Sequence, residues 1–328
     1  MPKPPASSSV TIYVPGLCGR GESPQPAPQS FSRAAARAQQ HPWEIEGYTS
    51  RAVALFDLPA SAGLAALARL GEGRPPDHRW WVRCDPVHLV VDRHRLLLLD
   101  NDTVMLDAGD AARLGARVAE VFASDGGLLE VVAPTRWYLS LDTPEPLQVA
   151  DLAEVAGRDV HPFLPAGNAR YWRTRLNEAQ MLLHEGLAGG HGGEASGGEA
   201  NSVWLWGPGY APEPRRASFT RVFADDVLIQ GMARLAEVVV ASLPGGPDAL
   251  DLEQSTLAVW RATHAPAQYG DGDAWTASLD AFVTTWWEPL AREMRAGRLK
   301  RLTVVGDRGP IYSLEPGRWR KWLGRWAR

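Results

Sequence analysis

Residues 202–209 read Ser-Val-Trp-Leu-Trp-Gly-Pro-Gly, an apolar run that ends at a Gly-Pro-Gly turn. β-Branched and aromatic residues bounded by glycine and proline predict a strand. Beyond this run, apolar stretches alternate with segments of helical periodicity. The predicted elements are a helix over 226–243, a strand over 256–261, a helix over 274–295 and a strand over 299–305. This alternation is typical of an α/β fold with a mainly parallel sheet and helices on both faces.

The first half of the chain divides into two parts. Val10–Val14 predicts a strand of the same sheet, and the periodicity over 60–70 predicts a helix. From residue 81 onward, short strand-like runs and two helical segments indicate antiparallel pairing in a small α+β unit. We therefore expect an alkaline-phosphatase-like core of residues 1–80 and 186–315, an inserted α+β unit of residues 81–185, and a tail of residues 316–328.

Composition limits the classes of function. The 328 residues carry 34 basic and 38 acidic side chains, and the resulting net charge of −4 gives no overall attraction to nucleic acid or anionic membranes. The only cysteines are Cys18 and Cys84, which favours a reducing compartment. No uncharged apolar run reaches the length of roughly 18 residues that a membrane helix needs. We expect a soluble cytoplasmic protein.

Three segments resemble the archaeal-type cofactor-independent phosphoglycerate mutases. They are Asn201–Gly209, the run from His264 to Asp273, and the strand that ends at Asp307-Arg308, where those enzymes carry Asp-His. Val14-Pro15-Gly16 lies where they carry a strand ending in Asp-Gly. The resemblance implies an alkaline-phosphatase-like fold with a metal-dependent phosphoryl-transfer site at the strand ends.

A second set of segments resembles the RpfE-type regulatory proteins, bacterial relatives of these mutases. The matching segments are Arg83–Leu89, Trp172–His184 and the Arg318-Trp319-Arg320 ending. This resemblance implies a regulatory role and carries no assigned chemistry.

Several of the metal ligands that the mutase resemblance implies are replaced by other residues in this sequence. Pro15 has no coordinating side chain, and Gln268, Tyr269 and Gly270 stand where the mutases carry a second histidine and acids. Arg308 replaces a histidine and cannot bind a metal, although it can pair with Asp307 or an anion. We therefore expect no metal cofactor and no catalysis.

The main hypothesis is a regulatory or ligand-binding protein. The cleft that corresponds to the active site of the mutases would hold a small anionic or phosphorylated molecule. A protein partner is also compatible with this role. The candidate ligand-binding residues are Gly207, Gly209, His264, Asp307 and Arg308.

A second hypothesis is an active phosphomutase or phosphatase with rearranged ligands. His264, Asp271, Asp273 and Asp307 would hold a divalent metal, and Ser61 would be the nucleophile. Each of these residues also has a structural interpretation. Ser61 and the Asp271–Asp273 pair are typical of helix caps, His264 is compatible with a structural histidine, and Gly207-Pro208-Gly209 is a common turn.

The tail supports a third hypothesis. Residues 318–328 place Trp319, Trp322, Leu323 and Trp326 on one helical face, with basic residues on the rest. Such a segment can dock on the protein body, lie on a membrane surface or bind a partner.

Overall fold

The computed structural model describes residues 8–19, 26–188 and 200–315. These residues form two compact units. The first unit comprises the described residues up to Leu58 and from Pro214 onward, and the second comprises Pro59–Glu213. The sequence placed these divisions at residues 80 and 186, so the strand that follows residue 200 falls in the second unit rather than the first.

Strands and helices are numbered along the chain. The strands in the described residues are β1 (Ser9–Val14), β2 (Gln39–His41), β3 (Trp81–Asp92), β4 (Arg95–Leu99), β5 (Leu128–Ala133), β6 (Arg136–Ser140), β7 (Leu147–Gln148), β8 (Ala166–Gly167), β9 (Ser202–Gly209), β10 (Arg221–Phe223), β11 (Val239–Ala241), β12 (Ser255–Val259), β13 (Arg301–Gly306) and β14 (Ile311–Leu314). The α-helices in the same residues are α1 (Gln29–Ala35), α2 (Tyr48–Leu55), α3 (Leu64–Gly71), α4 (Ala108–Phe122), α5 (Leu152–Val155), α6 (Ala169–Ala188), α7 (Val227–Leu235), α8 (His264–Tyr269), α9 (Gly272–Phe282) and α10 (Glu288–Arg295). Within this part of the chain, none of the helices is long and apolar enough to cross a membrane.

A seven-stranded sheet in the order β11-β10-β12-β1-β13-β14-β2 forms the first unit. The strands from β11 to β13 are parallel, whereas β14 and β2 are antiparallel to their neighbours. Ile12 of β1 is paired with Ala258 on one side and Val304 on the other. The fold is therefore α/β with a mainly parallel sheet, as the alternation of the sequence predicts.

Helices cover both faces of this sheet. On one face, Ile12 belongs to an apolar cluster that includes Phe31 of α1, Leu279 of α9 and Leu290 of α10. Successive side chains of a strand point to opposite faces. The ring of Tyr13 accordingly lies on the other face, where it stacks on Tyr48 of α2.

Two predicted helices differ from the observed elements. The helix predicted over 226–243 ends at Leu235, and β11 follows it. The reason is a run of β-branched residues, Val238–Val240, which favours a strand. The helix predicted over 274–295 is interrupted by a π-helical segment, Val283–Trp287, which carries the buried pair Trp286 and Trp287.

The second unit contains an antiparallel sheet. The strand order is β4-β3-β6-β5, and β9 pairs with the amino-terminal half of β3. The sequence placed β9 in the parallel sheet, and this placement was wrong. Strands buried on both faces read as continuous apolar runs. β9 has this appearance because α3 and α6 both pack against it.

A buried ion pair lies at the centre of this second sheet. Arg83 donates to Oδ1 of Asp85 through Nε at 2.9 Å, and its Nη2 lies 2.7 Å from Oδ2. Trp206 donates its indole N–H to Oδ2 at 2.8 Å, and the backbone amide of Trp137 donates to Oδ1 at 3.1 Å. Tyr138 accepts a hydrogen bond from Arg83. Within the segment Arg83–Leu89, the buried pair of Arg83 and Asp85 therefore serves the packing of this unit.

We predict that Asp85→Asn destabilises the protein by about 3–5 kcal/mol, because it leaves the buried Arg83 without a compensating charge. Asp142→Asn is the matched control, since it breaks an exposed pair with Arg79 whose side chains are 42% and 70% exposed. That control should cost at most about 1 kcal/mol. Urea unfolding of both variants measures the difference, and equal losses would contradict a central role for the buried pair.

Candidate functional site

The candidate site lies in the first unit, at the carboxyl ends of the central parallel strands. β1 runs between β12 and β13 and is parallel to both. In open α/β sheets, the loops that follow the carboxyl ends of the strands form the usual ligand crevice. The segments that follow these three strands are Pro15-Gly16, Trp260–His264 and Asp307-Arg308.

Asp307 is fully buried at the end of β13. Its Oδ1 atom accepts a hydrogen bond from the amide of Gly16 at 2.7 Å, which joins the ends of β1 and β13. Its Oδ2 atom has no hydrogen-bond partner in the described structure, and neither has the buried Nε atom of Arg308. These two atoms lie 3.8 Å apart, and the Arg308 side chain is 36% exposed. The carboxylate is thus held on one side and faces a half-exposed guanidinium on the other.

The turn after β1 is closed by hydrogen bonds to α8 and α9. The Thr263 hydroxyl donates to the carbonyl of Pro15 at 2.7 Å, and the Trp275 indole donates to the carbonyl of Gly16 at 2.7 Å. Gly16 has a φ of +81°, and a Cβ at this position would lie 2.5 Å from the Thr263 carbonyl oxygen. Only glycine fits this conformation and this approach.

Tyr48, at the start of α2, contacts the side chains of His264 and Asp226 and accepts a hydrogen bond from Tyr13. Its ring stacks on His264 with centroids 5.0 Å apart. Its hydroxyl donates to Oδ2 of Asp226 at 2.6 Å, and Nη1 of Arg261 lies 3.6 Å from the same oxygen. The hydroxyl of Tyr13 donates to the Tyr48 carbonyl at 2.7 Å. His264 is therefore packed under an aromatic ring at this edge.

Arg51 is a fully buried cation beneath the β13 turn. It donates to the carbonyls of Gly306 at 2.8 Å and Gly309 at 2.7 Å, which flank Asp307 in the chain. It also donates to the carbonyls of Trp43 and Ile45. Burial lowers the pKa of the Arg51 guanidinium, and the nearby Tyr13 and Asp307 oppose this shift. Arginine remains charged in proteins, so Arg51 places a fixed positive charge near Asp307.

Sequence reasoning missed Tyr48, Arg51 and Asp226. The sequence carries a weak indication for two of them, Arg51 and Asp226. Arg51 is one arginine in a short helix of otherwise small and apolar residues after Ser50. Asp226 precedes a helix, and its Oδ1 atom accepts from the amides of Leu228 and Ile229 as a helix cap.

The structure divides the predicted ligand-binding residues between the two units. His264, Asp307 and Arg308 lie at the edge just described, whereas Gly207 and Gly209 lie in β9 of the second unit. Gly207 has a φ of +62°, and a Cβ there would lie 2.8 Å from Cβ of Leu64. A Cβ on Gly209 would lie 2.8 Å from Cα of Gly63. The close approach of α3 to β9 accounts for both glycines, and their part in ligand binding stays a prediction.

The residues of the enzyme hypothesis are not gathered into a metal site. Among the described residues, no group of three or more His, Cys, Asp or Glu side chains is arranged to hold a metal ion. Asp271 caps α9 through a hydrogen bond from the amide of Ala274, and Asp273 is exposed in the first turn. Ser61 is exposed and lies two residues before Gly63, the residue that caps α3. The prediction that Ser61 itself caps the helix was wrong.

The carboxyl edge therefore does not fit a divalent metal ion. Pro15 ends β1 without a ligand, and Arg308 adds a positive charge where a ligand would have to be neutral or negative. The carboxylate of Asp307 lies beside these two positions. The carboxylate of Asp226 at the same edge is engaged by Tyr48 and by two backbone amides. No phosphoryl-transfer step through a metal can be derived from these side chains.

Comparisons with known proteins inform the fold alone. No family model matches the chain, and no curated protein matches it in sequence. The solved structure of the PH0037 protein from Pyrococcus horikoshii is similar, with a TM-score of 0.57 and 11% identity over 95% of this chain and 88% of that one. A cofactor-independent phosphoglycerate mutase from Thermoplasma acidophilum aligns at a TM-score of 0.44 and 15% identity over 95% of this chain and 90% of that one.

We predict that Gly207→Ala destabilises the protein by roughly 1–3 kcal/mol, because the new Cβ collides with Leu64 and the left-handed backbone disfavours alanine. Gly109→Ala is the control in the same unit. Gly109 lies in the first turn of α4, where an added Cβ approaches only Oδ1 of Asp107 at 3.3 Å. Denaturant unfolding should show little change for this control, and a similar loss in both variants would contradict the packing argument.

Burial raises the pKa of Tyr13 well above the ordinary value of 10.0. The unfolded chain loses the Tyr13 hydroxyl proton at a lower pH than the folded chain does. The contribution of this proton to stability is therefore complete below about pH 10 and decreases as the pH rises above that value. We predict a fall in the free energy of unfolding above about pH 10 that is shallower in Tyr13→Phe. Tyr210→Phe is the control, since Tyr210 is 54% exposed. Unfolding measured across this pH range tests the difference, and equal slopes in all three proteins would contradict it.

Proposed function

We propose that the chain is a non-catalytic relative of the cofactor-independent phosphoglycerate mutases with an RpfE-type regulatory role, and that the carboxyl edge of the first unit's sheet binds a small anionic molecule. The ordered motifs of the sequence support the relationship. The observation that carries the binding site is the pair formed by Asp307 and Arg308, which lies at the edge where α/β sheets hold their ligands.

The pair can form two hydrogen bonds with a ligand, one donated by Arg308 and one accepted by Asp307. Nε of Arg308 and Oδ2 of Asp307 are 3.8 Å apart, beyond hydrogen-bonding distance, and neither has another partner in the described structure. An anionic group accepts from the half-exposed Arg308. A hydroxyl group of the same molecule donates to Asp307 when Arg308 turns outward. A three-carbon hydroxy acid with a phosphate group carries both kinds of group.

The local chemistry supports binding without catalysis. The Thr263 hydroxyl is engaged by the Pro15 carbonyl. Burial, and to a smaller extent Asp307, raises the pKa of Cys18, so this thiol is not an activated nucleophile. The pKa of Tyr13 is also raised by burial. No hydroxyl or thiol among these three is poised to attack a phosphoryl group.

Thermal unfolding with and without 3-phosphoglycerate tests this proposal. A ligand at a hundredfold excess over its dissociation constant stabilises the folded state by about 2.7 kcal/mol, which raises the melting temperature. We predict this rise for the unmodified protein and its loss in Arg308→Met. Arg301→Met is the matched control, because Arg301 begins β13, the strand that precedes Arg308, and forms an exposed pair with Glu315. That control should respond as the unmodified protein does.

Two outcomes would contradict the proposal. The binding site is wrong if the Arg308→Met variant keeps the full response, or if the unmodified protein shows none. The non-catalytic assignment is wrong if the purified protein contains stoichiometric divalent metal and converts 3-phosphoglycerate to 2-phosphoglycerate. Metal analysis and a mutase assay of the same preparation give this second result.

A further inference from the structure

A cavity in the first unit lies between α1 and α10, and it has a volume of about 320 Å³. The apolar residues that line it include Trp287, which is 2% exposed. Its charged lining, here called the rim, consists of Arg33, Arg37, Arg292, Arg295 and Glu288. Four arginines and a single glutamate thus line this cavity.

Three of these arginines lack the usual acidic partner. Arg33, Arg37 and Arg292 are exposed and form no ion pair within the described residues. Some exposed arginines elsewhere in the described chain form such pairs, as Arg95 does with Asp92. Others in the same part of the chain, such as Arg170 and Arg173, do not. Arg33, Arg37 and Arg292 differ from these because they line one cavity, where like charges repel each other. The rim therefore carries positive charge for which the described residues show no ion pair.

The helix dipole explains only part of the clustering of these arginines. Arg33 lies in the last turn of α1, and Arg292 and Arg295 lie in the last turn of α10, where cations are favoured by the helix dipole. This effect accounts for a basic residue at each helix end. It does not account for two such ends facing one cavity, with Glu293, the nearest acid in sequence to Arg292, engaged by Arg298 instead.

The cavity is distinct from the site of the proposed function. Leu314, which lines it, pairs with Leu302 at the start of β13, whereas Asp307 follows the end of β13. At about 3.3 Å per residue, Leu302 and Asp307 are separated by roughly 16 Å along the strand. The inference below does not depend on the proposed function.

The tail that follows β14 supplies no acidic side chain for this cavity. Residues 316–328 lie outside the described residues, and their sequence contains five basic side chains and no acidic one. An anion from solution complements the charge of the rim.

We propose that this cavity binds a small molecule with two or more phosphate groups. A guanidinium group binds phosphate through two parallel hydrogen bonds, which the point charge of a lysine does not provide. Arg33, Arg37 and Arg292 can each make such a paired contact, whereas the three acceptor oxygens of a single phosphate group accommodate about one such contact in full. A diphosphate or triphosphate group offers enough oxygens for all three, and the volume of the cavity limits the size of the ligand.

Calorimetric titration of the full chain with inorganic pyrophosphate and tripolyphosphate tests this site. At about 0.1 M salt, which screens distant charges, we expect one molecule to bind per chain. The double variant Arg33→Gln/Arg292→Gln should bind about tenfold more weakly or worse. The control is Arg170→Gln/Arg173→Gln, which removes the same charge from exposed positions of α6 that form no ion pair within the described residues. It should bind within about twofold of the unmodified protein, since distant exposed charges contribute little.

The single variant Arg37→Gln keeps the test decisive if the double variant does not fold, and it should weaken binding by about threefold or more. The proposal is overturned by any of four results. They are no binding to the unmodified protein, equal loss in the control, equally tight binding of sulfate at the same ionic strength, and tighter binding of a single-stranded oligonucleotide than of tripolyphosphate.

Discussion

The buried carboxylate of Asp307 constrains the whole carboxyl end of the first unit's sheet. A buried charge is costly unless hydrogen bonds and an opposite charge compensate it. The amide of Gly16 supplies a hydrogen bond, and this bond holds the end of β1 against the end of β13. Arg51 supplies nearby positive charge while it ties the carbonyls on both sides of Asp307. The turn after β1, the start of α2 and the turn after β13 are thereby fixed together.

The second unit meets the same constraint in a different way. The carboxylate of Asp85 receives bonds from Arg83, Trp206 and the amide of Trp137, so each oxygen has at least two partners. A network that is fully satisfied rigidifies a core and specifies its register. Asp307 differs, because its Oδ2 atom accepts no hydrogen bond in the described structure and lies 3.8 Å from Nε of Arg308. Complete compensation indicates a structural role at Asp85, and incomplete compensation at a sheet edge is the reason why we propose a ligand at Asp307.

The local sequence predicted much of the fold and little of the site. β1, β12 and β13 and the α/β class follow from apolar runs and helical periodicity, which are local properties. The position of β9 could not be predicted, because an apolar strand reads the same whether helices cover it in a parallel or an antiparallel sheet. Tyr48 and Arg51 were missed because a polar residue reveals its burial only through distant partners, such as the carbonyl of Gly306. Asp307 and Arg308 were predicted as site residues because they follow a predicted strand where the mutases carry Asp-His, and their part in ligand binding stays a prediction.

Under the proposed relationship to the mutases, Pro15 and Arg308 stand where those enzymes carry metal ligands, and this difference changes what the edge can do. A divalent metal attracts anions, lowers the pKa of bound water and polarises a phosphoryl group. A guanidinium keeps the attraction but cannot generate a hydroxide or exchange a proton near neutral pH, because it stays protonated. A site that exchanges metal ligands for Arg308 therefore retains affinity for anionic molecules and loses the means to activate a nucleophile. On this physical ground, we propose recognition rather than turnover at this edge.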